Sequence, residues 1–171
     1  ETTFVASGAE NRDYATLQAA AARVDSDVLV FGHGFHVSDI AEGTGDRDRP
    51  KNYRLMPRVP FEELRRYYAN ARTIVVPVND VPYAAGVTGL VEAFAMGKAV
   101  IVSRSRGIID YLDRDLGYVV DVGDKEALAA AMREAERRND LKTTGDGNRK
   151  WAVENCALDR YVARIANIMR N

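Results

Sequence analysis

The chain has 171 residues, 46% hydrophobic and 29% charged, enough apolar surface for one compact domain to outweigh its ordering entropy. With 24 Lys and Arg against 25 Asp and Glu, the formal net charge is −1, so no global positive field draws in nucleic acid or anionic lipid, and any anion site must be local. One cysteine, Cys156, and two histidines, His33 and His36, exclude an internal disulfide and a closed His/Cys zinc site.

In chain order, Thr3 to Gly8 is a short apolar run ending in glycine, and Asp13 then opens a helix-prone stretch from Tyr14 to Val24. The same strand, turn and helix grammar returns at Asp27 to Gly32, and at Asn52 to Pro57 with the helical Phe61 to Ala71. It returns again at Thr73 to Val78 with Gly89 to Met96, at Ala99 to Ser103 with a short turn at Ile108 to Leu112, and at Gly117 to Val122 with Asp124 to Arg138. The segment His33 to Lys51 has no clear period, and such a loop is mobile, functional, or hides a short helix. The tail from Asn148 to Asn171 reads as two helices broken near Ala157-Leu158, with Trp151 and Tyr161 as candidate anchors. About six strands apolar on both faces, alternating with helices, predict a doubly wound α/β domain: a parallel sheet with helices on both faces and a helical C-terminal tail. One domain over 1–171 is expected. No apolar run approaches the roughly 20 residues of a membrane span, and Glu1-Thr2-Thr3 lacks the basic start of a signal peptide, so a cytoplasmic location is expected.

In an open parallel sheet, ligands sit beyond the carboxyl ends of the strands, where helix N-termini point unpaired amides outward. Two loops there suit an anion. Asn79 to Gly89 places Gly86 and Gly89 around Val87 and Thr88, whose amides and hydroxyl suit a phosphate. Ser103-Arg104-Ser105-Arg106-Gly107 adds two guanidinium groups at a glycine turn, and together the loops suit a diphosphate. Equally, the glycines permit tight packing and Arg104 and Arg106 are solvated surface. Glu92 lies one turn into an otherwise apolar helix, where a carboxylate is costly without a partner. A ribose diol is such a partner; a salt bridge to a nearby arginine is the alternative.

The run Gly86-Val87-Thr88-Gly89-Leu90-Val91-Glu92-Ala93-Phe94-Ala95-Met96-Gly97-Lys98, followed by the apolar Ala99 to Ser103, resembles the signature of the family 4 (group 1) retaining glycosyltransferases. Similarity extends upstream through Val59 to Leu64, Tyr67 to Ala71 and Val75 to Pro77, downstream through Gly107 to Tyr111 and Leu116 to Val120, and to Gly8 and Arg12 in the first loop. The resemblance implies the Rossmann-like, donor-binding C-terminal half of a GT-B fold. Its partners would be a nucleotide-diphosphate sugar, an N-terminal domain absent from this chain, and an acceptor hydroxyl held mainly by that domain; any peripheral membrane contact would run through the absent domain. It implies Glu92 on the donor ribose, the Val87 and Thr88 amides on the diphosphate after Gly86, Gly8 and Arg12 beside the phosphates, and the main chain at Arg58-Val59 along the base. The family's Glu-x7-Glu motif is broken here, since its first position falls on Ala84, which cannot accept a hydrogen bond from the sugar. Asp80, in the same loop, is a substitute candidate. Helix dipole and arginine stabilise the leaving diphosphate without a metal or other cofactor.

Other signals read more plainly. Asp46-Arg47-Asp48 has a metal-site look in a charged loop, and His33 is a catalytic candidate against the reading of His33 and His36 as ordinary loop polar groups. Asp110 suits a cap as well as a ligand role, and Cys156 suits burial in an amphipathic helix. Two further functions stay open: a non-catalytic nucleotide-sugar-binding module, motivated by Ala84, and a regulatory α/β domain with Glu92 bridged internally.

Overall fold

A computed structural model describes residues 3–32 and 49–170. His33 and His36, Asp46-Arg47-Asp48 and most of the segment that could hide a short helix, residues 33–48, therefore lie outside the described residues. The strands are β1 (Thr3–Ser7), β2 (Asp27–Phe31), β3 (Tyr53–Leu55), β4 (Thr73–Val76), β5 (Val100–Ser103) and β6 (Gly117–Val120). All pair in parallel, in the order β3-β2-β1-β4-β5-β6, with registers such as Phe4 opposite Val28 and Ile74 opposite Val100.

The helices are α1 (Tyr14–Ala21), α2 (Phe61–Asn70), α3 (Val87–Ala95), α4 (Lys125–Arg137), α5 (Leu141–Asn155) and α6 (Leu158–Arg170), with a 3-10 turn at Arg106–Tyr111. Alternation along the strands sorts the core into two halves. Phe4, Ala6, Val75 and Ile101 pack under α1 and α4 through Leu17, Leu128 and Met132. Val5, Ile74, Val76, Val100 and Val102 pack under α2, α3 and α5 through Tyr68, Leu90, Phe94 and Ala152. This is the doubly wound, Rossmann-like sheet expected, helical tail included.

Two helices start elsewhere than the sequence reading has them. Helix α3 starts two residues before Gly89, because Gly86 at φ 92 turns the chain into the helix as its N-cap. Helix α5 starts seven residues before Asn148, running through Gly145 and Gly147. Gly145 belongs there because a Cβ would lie 2.1 Å from the Gly97 carbonyl oxygen. Asn148, fully buried, donates through Nδ2 to Lys98 O (2.9 Å) and Leu116 O (3.0 Å), fastening the helix to the start of β5 and the loop before β6. In the tail, Trp151 does anchor: its ring meets Phe94 edge-on at 5.9 Å, and the Arg114 guanidinium stacks 3.6 Å from its centroid. Tyr161 does not, being 60% exposed, since α6 buries no residue. Cys156 is half-buried at the end of α5. No helix among the described residues is long and apolar enough to cross a membrane.

Candidate functional site

The strand order reverses between β1 and β4, and the crevice at their carboxyl ends is where such a sheet exposes backbone to a ligand. Here it is framed by the β1–α1 and β4–α3 loops, which the backbone sews together. Asp13 N donates to Pro77 O (3.0 Å), Asn79 N donates to Asn11 O (3.0 Å), and Arg12 forms an antiparallel bridge with Val78. Pro77, which follows β4, lacks a donor, but its carbonyl still serves as an acceptor. Asn11 takes φ 49, a left-handed conformation that asparagine tolerates.

Arg12 sits at the centre. Its Nε donates to Ser7 O (3.1 Å) and its Nη1 to Glu10 O (3.0 Å), which fixes the guanidinium across the mouth of the crevice. Gly8 admits it, since a Cβ there would lie 2.5 Å from Arg12 Nη2, while Cβ atoms on Gly86 and Gly89 would stand in ordinary contact with the guanidinium at 3.6 and 3.7 Å. Burial pulls the Arg12 pKa below the usual arginine range, partly opposed by nearby Tyr14, Tyr68, Glu10 and Glu92.

At the start of α3, the first intrahelical donor to Gly86 O is Leu90 N (3.0 Å), leaving the amides of Val87, Thr88 and Gly89 without an intrahelical partner. One turn on, Glu92 is half-buried, and no described residue hydrogen-bonds or ion-pairs with its carboxylate. Burial raises its pKa above the ordinary value, and the charge of Arg12 pulls the other way. The internal salt bridge that was one reading of Glu92 is thus absent among the described residues. Glu92 instead opens on a cavity of about 310 Å³ whose walls include Phe61, Leu64, Tyr68, Met96 and the cations Arg65 and Arg149.

Tyr68 and Ser7 were not singled out from sequence. Ser7 Oγ and Tyr68 OH lie 2.6 Å apart, both about 4.0 Å from where a Gly89 Cβ would stand, and burial pushes the Tyr68 pKa up to about 12. The available signal was the stripe Phe61, Leu64 and Tyr68, spaced three and four apart on the otherwise polar α2. Tyr14, also fully buried, donates to Gly8 O at 2.5 Å and holds the first loop from below.

The remaining candidates lie elsewhere or are engaged. Asp80 accepts from Arg106 N (3.1 Å) on one oxygen and Arg106 Nε (3.0 Å) on the other, which lowers its pKa. Arg104 pairs with Asp121 (3.5 Å). No hydrogen bond or ion pair joins Arg104 or Arg106 to Gly8, Arg12, Gly86 or Glu92 among the described residues. Their segment instead braces the β4–α3 loop: Ser103 Oγ accepts from Val78 N (3.3 Å), Ser105 Oγ bridges the N–H and carbonyl of Val81 (3.3 Å each), and Gly107 lies where a Cβ would come 1.7 Å from Tyr83 O. Ala84 is exposed beside Tyr83, whose hydroxyl meets Asn11 Nδ2. Arg58 is exposed in the loop after β3, while Val59 packs partly onto the core. Asp110 lies exposed in the 3-10 turn.

The sequence profile of the family described as Glycosyl transferases group 1 matches residues 2–137. No curated protein matches the sequence. Among solved structures, the sucrose-phosphate synthase of Thermosynechococcus elongatus is similar over 99% of this chain and 45% of its own, at 20% identity and TM-score 0.84. HepE of Anabaena in complex with UDP is similar over 99% of this chain and 49% of its own, at 15% identity and TM-score 0.74. A glycosyltransferase of Rickettsia africae is similar over 98% and 47%, at 15% identity and TM-score 0.76. The chain therefore spans less than half the length of these structures and shares their fold.

Proposed function

The chain belongs to the glycosyl transferases group 1 family, and from that premise we propose that it binds a nucleotide-diphosphate sugar as the donor half of a retaining glycosyltransferase. In this reading Glu92 accepts both ribose hydroxyls, the nucleoside extends along the Phe61–Leu64–Tyr68 wall toward the main chain at Arg58-Val59, and the diphosphate lies between Arg12 and the amides of Val87 and Thr88. Gly8 leaves room for the Arg12 guanidinium, and Gly86 makes the turn into α3. The observation that carries the reading is Glu92: a half-buried carboxylate with no bonded partner among the described residues, one turn from three uncommitted amides and within the field of Arg12.

Guanidinium and helix dipole act where negative charge develops on the leaving diphosphate, so the step asks for no metal. An N-terminal domain would bring the acceptor hydroxyl, since the similar structures are more than twice as long. That HepE was solved with UDP agrees with a nucleoside diphosphate as ligand, and a cytoplasmic location follows as part of the same proposal. Arg104 and Arg106 contribute through the loop they brace.

Calorimetric titration with UDP, GDP and ADP tests the site. One of the three is expected to bind, and Glu92→Gln is expected to weaken it by about tenfold or more, the worth of a charge-assisted hydrogen bond. Silence from all three at millimolar concentration refutes the assignment. Ala84 and the doubly bonded Asp80 favour a second reading, a binding module without transfer, because neither offers a free carboxylate to the sugar. Transfer or donor hydrolysis by a full-length parent would eliminate it.

A further inference from the structure

On the opposite edge of the sheet, where β4 and β5 begin, lies a cavity of about 350 Å³ with four cations in its wall, Arg72, Lys98, Arg138 and Lys142, and no carboxylate. We propose that this cavity is a second anion site, taking a phosphate group either free or as the monoester of a small molecule. The proposal stands apart from the nucleotide reading of the carboxyl edge.

The charge balance favours it. Asp140, on the rim, takes Arg138 through Nε (2.5 Å) and Nη2 (3.1 Å), and Asp146 takes Lys142 (2.7 Å), so two of the four cations are neutralised. Arg72 and Lys98 have only neutral partners. Lys98 Nζ donates to Ala69 O (2.7 Å) and Ala71 O (2.8 Å) at the end of α2. Arg72 donates through Nε to Ala135 O (2.5 Å) and through Nη2 to Arg138 O, at the end of α4. Each helix end contributes about half a negative charge, and the start of α5 about half a positive one, so an excess of positive charge remains. Desolvation lowers the Lys98 pKa, as expected of a half-buried ammonium with no counter-ion.

Donors are left for an oxygen ligand. Arg72 Nη1 and the third Lys98 proton have no partner among the described residues. Because Asp140 is engaged with Arg138, it gives α5 no side-chain cap. Of the first-turn amides, Thr143 and Thr144 bond to Asp140 O, and those of Leu141 and Lys142 do not.

The test is a titration of the chain with inorganic phosphate, and separately with glycerol 2-phosphate, at constant ionic strength, following backbone amide resonances. Saturable shifts are expected at Gly97 to Ala99 and at Leu141 and Lys142. Whichever probe binds more tightly identifies the free ion or the monoester as the better fit. Lys142 is exposed and, among the described residues, bonds to Asp146 on its own helix, so Lys142→Ala keeps the fold, leaves the Asp146 charge unbalanced beside the cavity and should weaken binding about fivefold. Lys98→Met should weaken it at least as much, and Glu92→Gln should leave it unchanged. Shifts confined to Gly8 and Gly86 to Gly89, no saturation in the tens of millimolar, or full affinity in Lys142→Ala would each overturn the proposal.

Discussion

Burial at Glu92 disfavours the ionised carboxylate and Arg12 favours it, with burial the larger effect. The folded-state pKa is therefore raised above the ordinary 4.5, so the ionised group subtracts stability at neutral pH, and that penalty fades as pH falls through the raised value and below 4.5. Glu92→Gln should accordingly melt higher than the parent at pH 7 and level with it below pH 4.5, in calorimetric scans across pH. Nucleotide affinity in the parent should fall over the same interval, because protonation removes the charge that the ribose hydroxyls address. A higher melting temperature with weaker binding is the signature of a group placed for a ligand, and a merely structural glutamate would not give it. Gly8 makes a complementary case: at φ 104, with Arg12 Nη2 where its Cβ would go, Gly8→Ala should cost about 1–2 kcal/mol for the dihedral and lose nucleotide affinity as Arg12 is displaced.

Within α5, two glycines two residues apart have opposite reasons to be there. Gly145 meets the Gly97 backbone, whereas a Cβ on Gly147 would find nothing within 4 Å. Gly145→Ala should thus destabilise by about 1–3 kcal/mol, since backbone on both sides must move, and Gly147→Ala should stabilise by about 0.5–1 kcal/mol through helix propensity. Chemical denaturation of both variants checks the pair. The same contrast explains why the start of this helix was hidden in the sequence: a glycine kept for close approach and one with no such contact look alike until the neighbouring turn is in place. The strands were legible because runs apolar on both faces are a local signal, and Gly86 and Glu92 because a glycine at a helix start and a charge in an apolar helix stand out locally; Gly8 and Arg12 entered through the resemblance. Ser7 and Tyr68 meet across 61 positions, and the hydroxyls of Ser103 and Ser105 serve a loop more than 20 residues upstream. No local pattern announces such pairs. For Arg104 and Arg106 an anion-ligand and a solvated-surface reading both stood, because composition shows a guanidinium but not the carboxylate beside it, here Asp121 and Asp80.

Across the whole molecule, burial is concentrated in the sheet and the helices laid on it, and the chain ends on a helix outside that arrangement. Along α6, Leu158, Tyr161, Val162, Ile165, Ile168 and Met169 recur three and four apart, and every one is at least 39% exposed. Its apolar stripe contributes almost nothing to the transfer of apolar surface from water, which dominates folding free energy. An isolated helix of 13 residues is marginal in water, so α6 is held by its short contact with α5 and the Arg164 to Asn155 bond (3.4 Å). Removing residues 158–171 should therefore shift the melting temperature by less than about 3 °C, the equivalent of roughly 1 kcal/mol in a domain of this size. Disrupting the Trp151 stack by Trp151→Ala should cost about 3–5 kcal/mol, because it empties the contact among Phe94, Tyr111 and Arg114. Thermal melts of the two variants side by side test whether cooperativity ends at α5; equal losses would place α6 inside the cooperative unit despite its exposure.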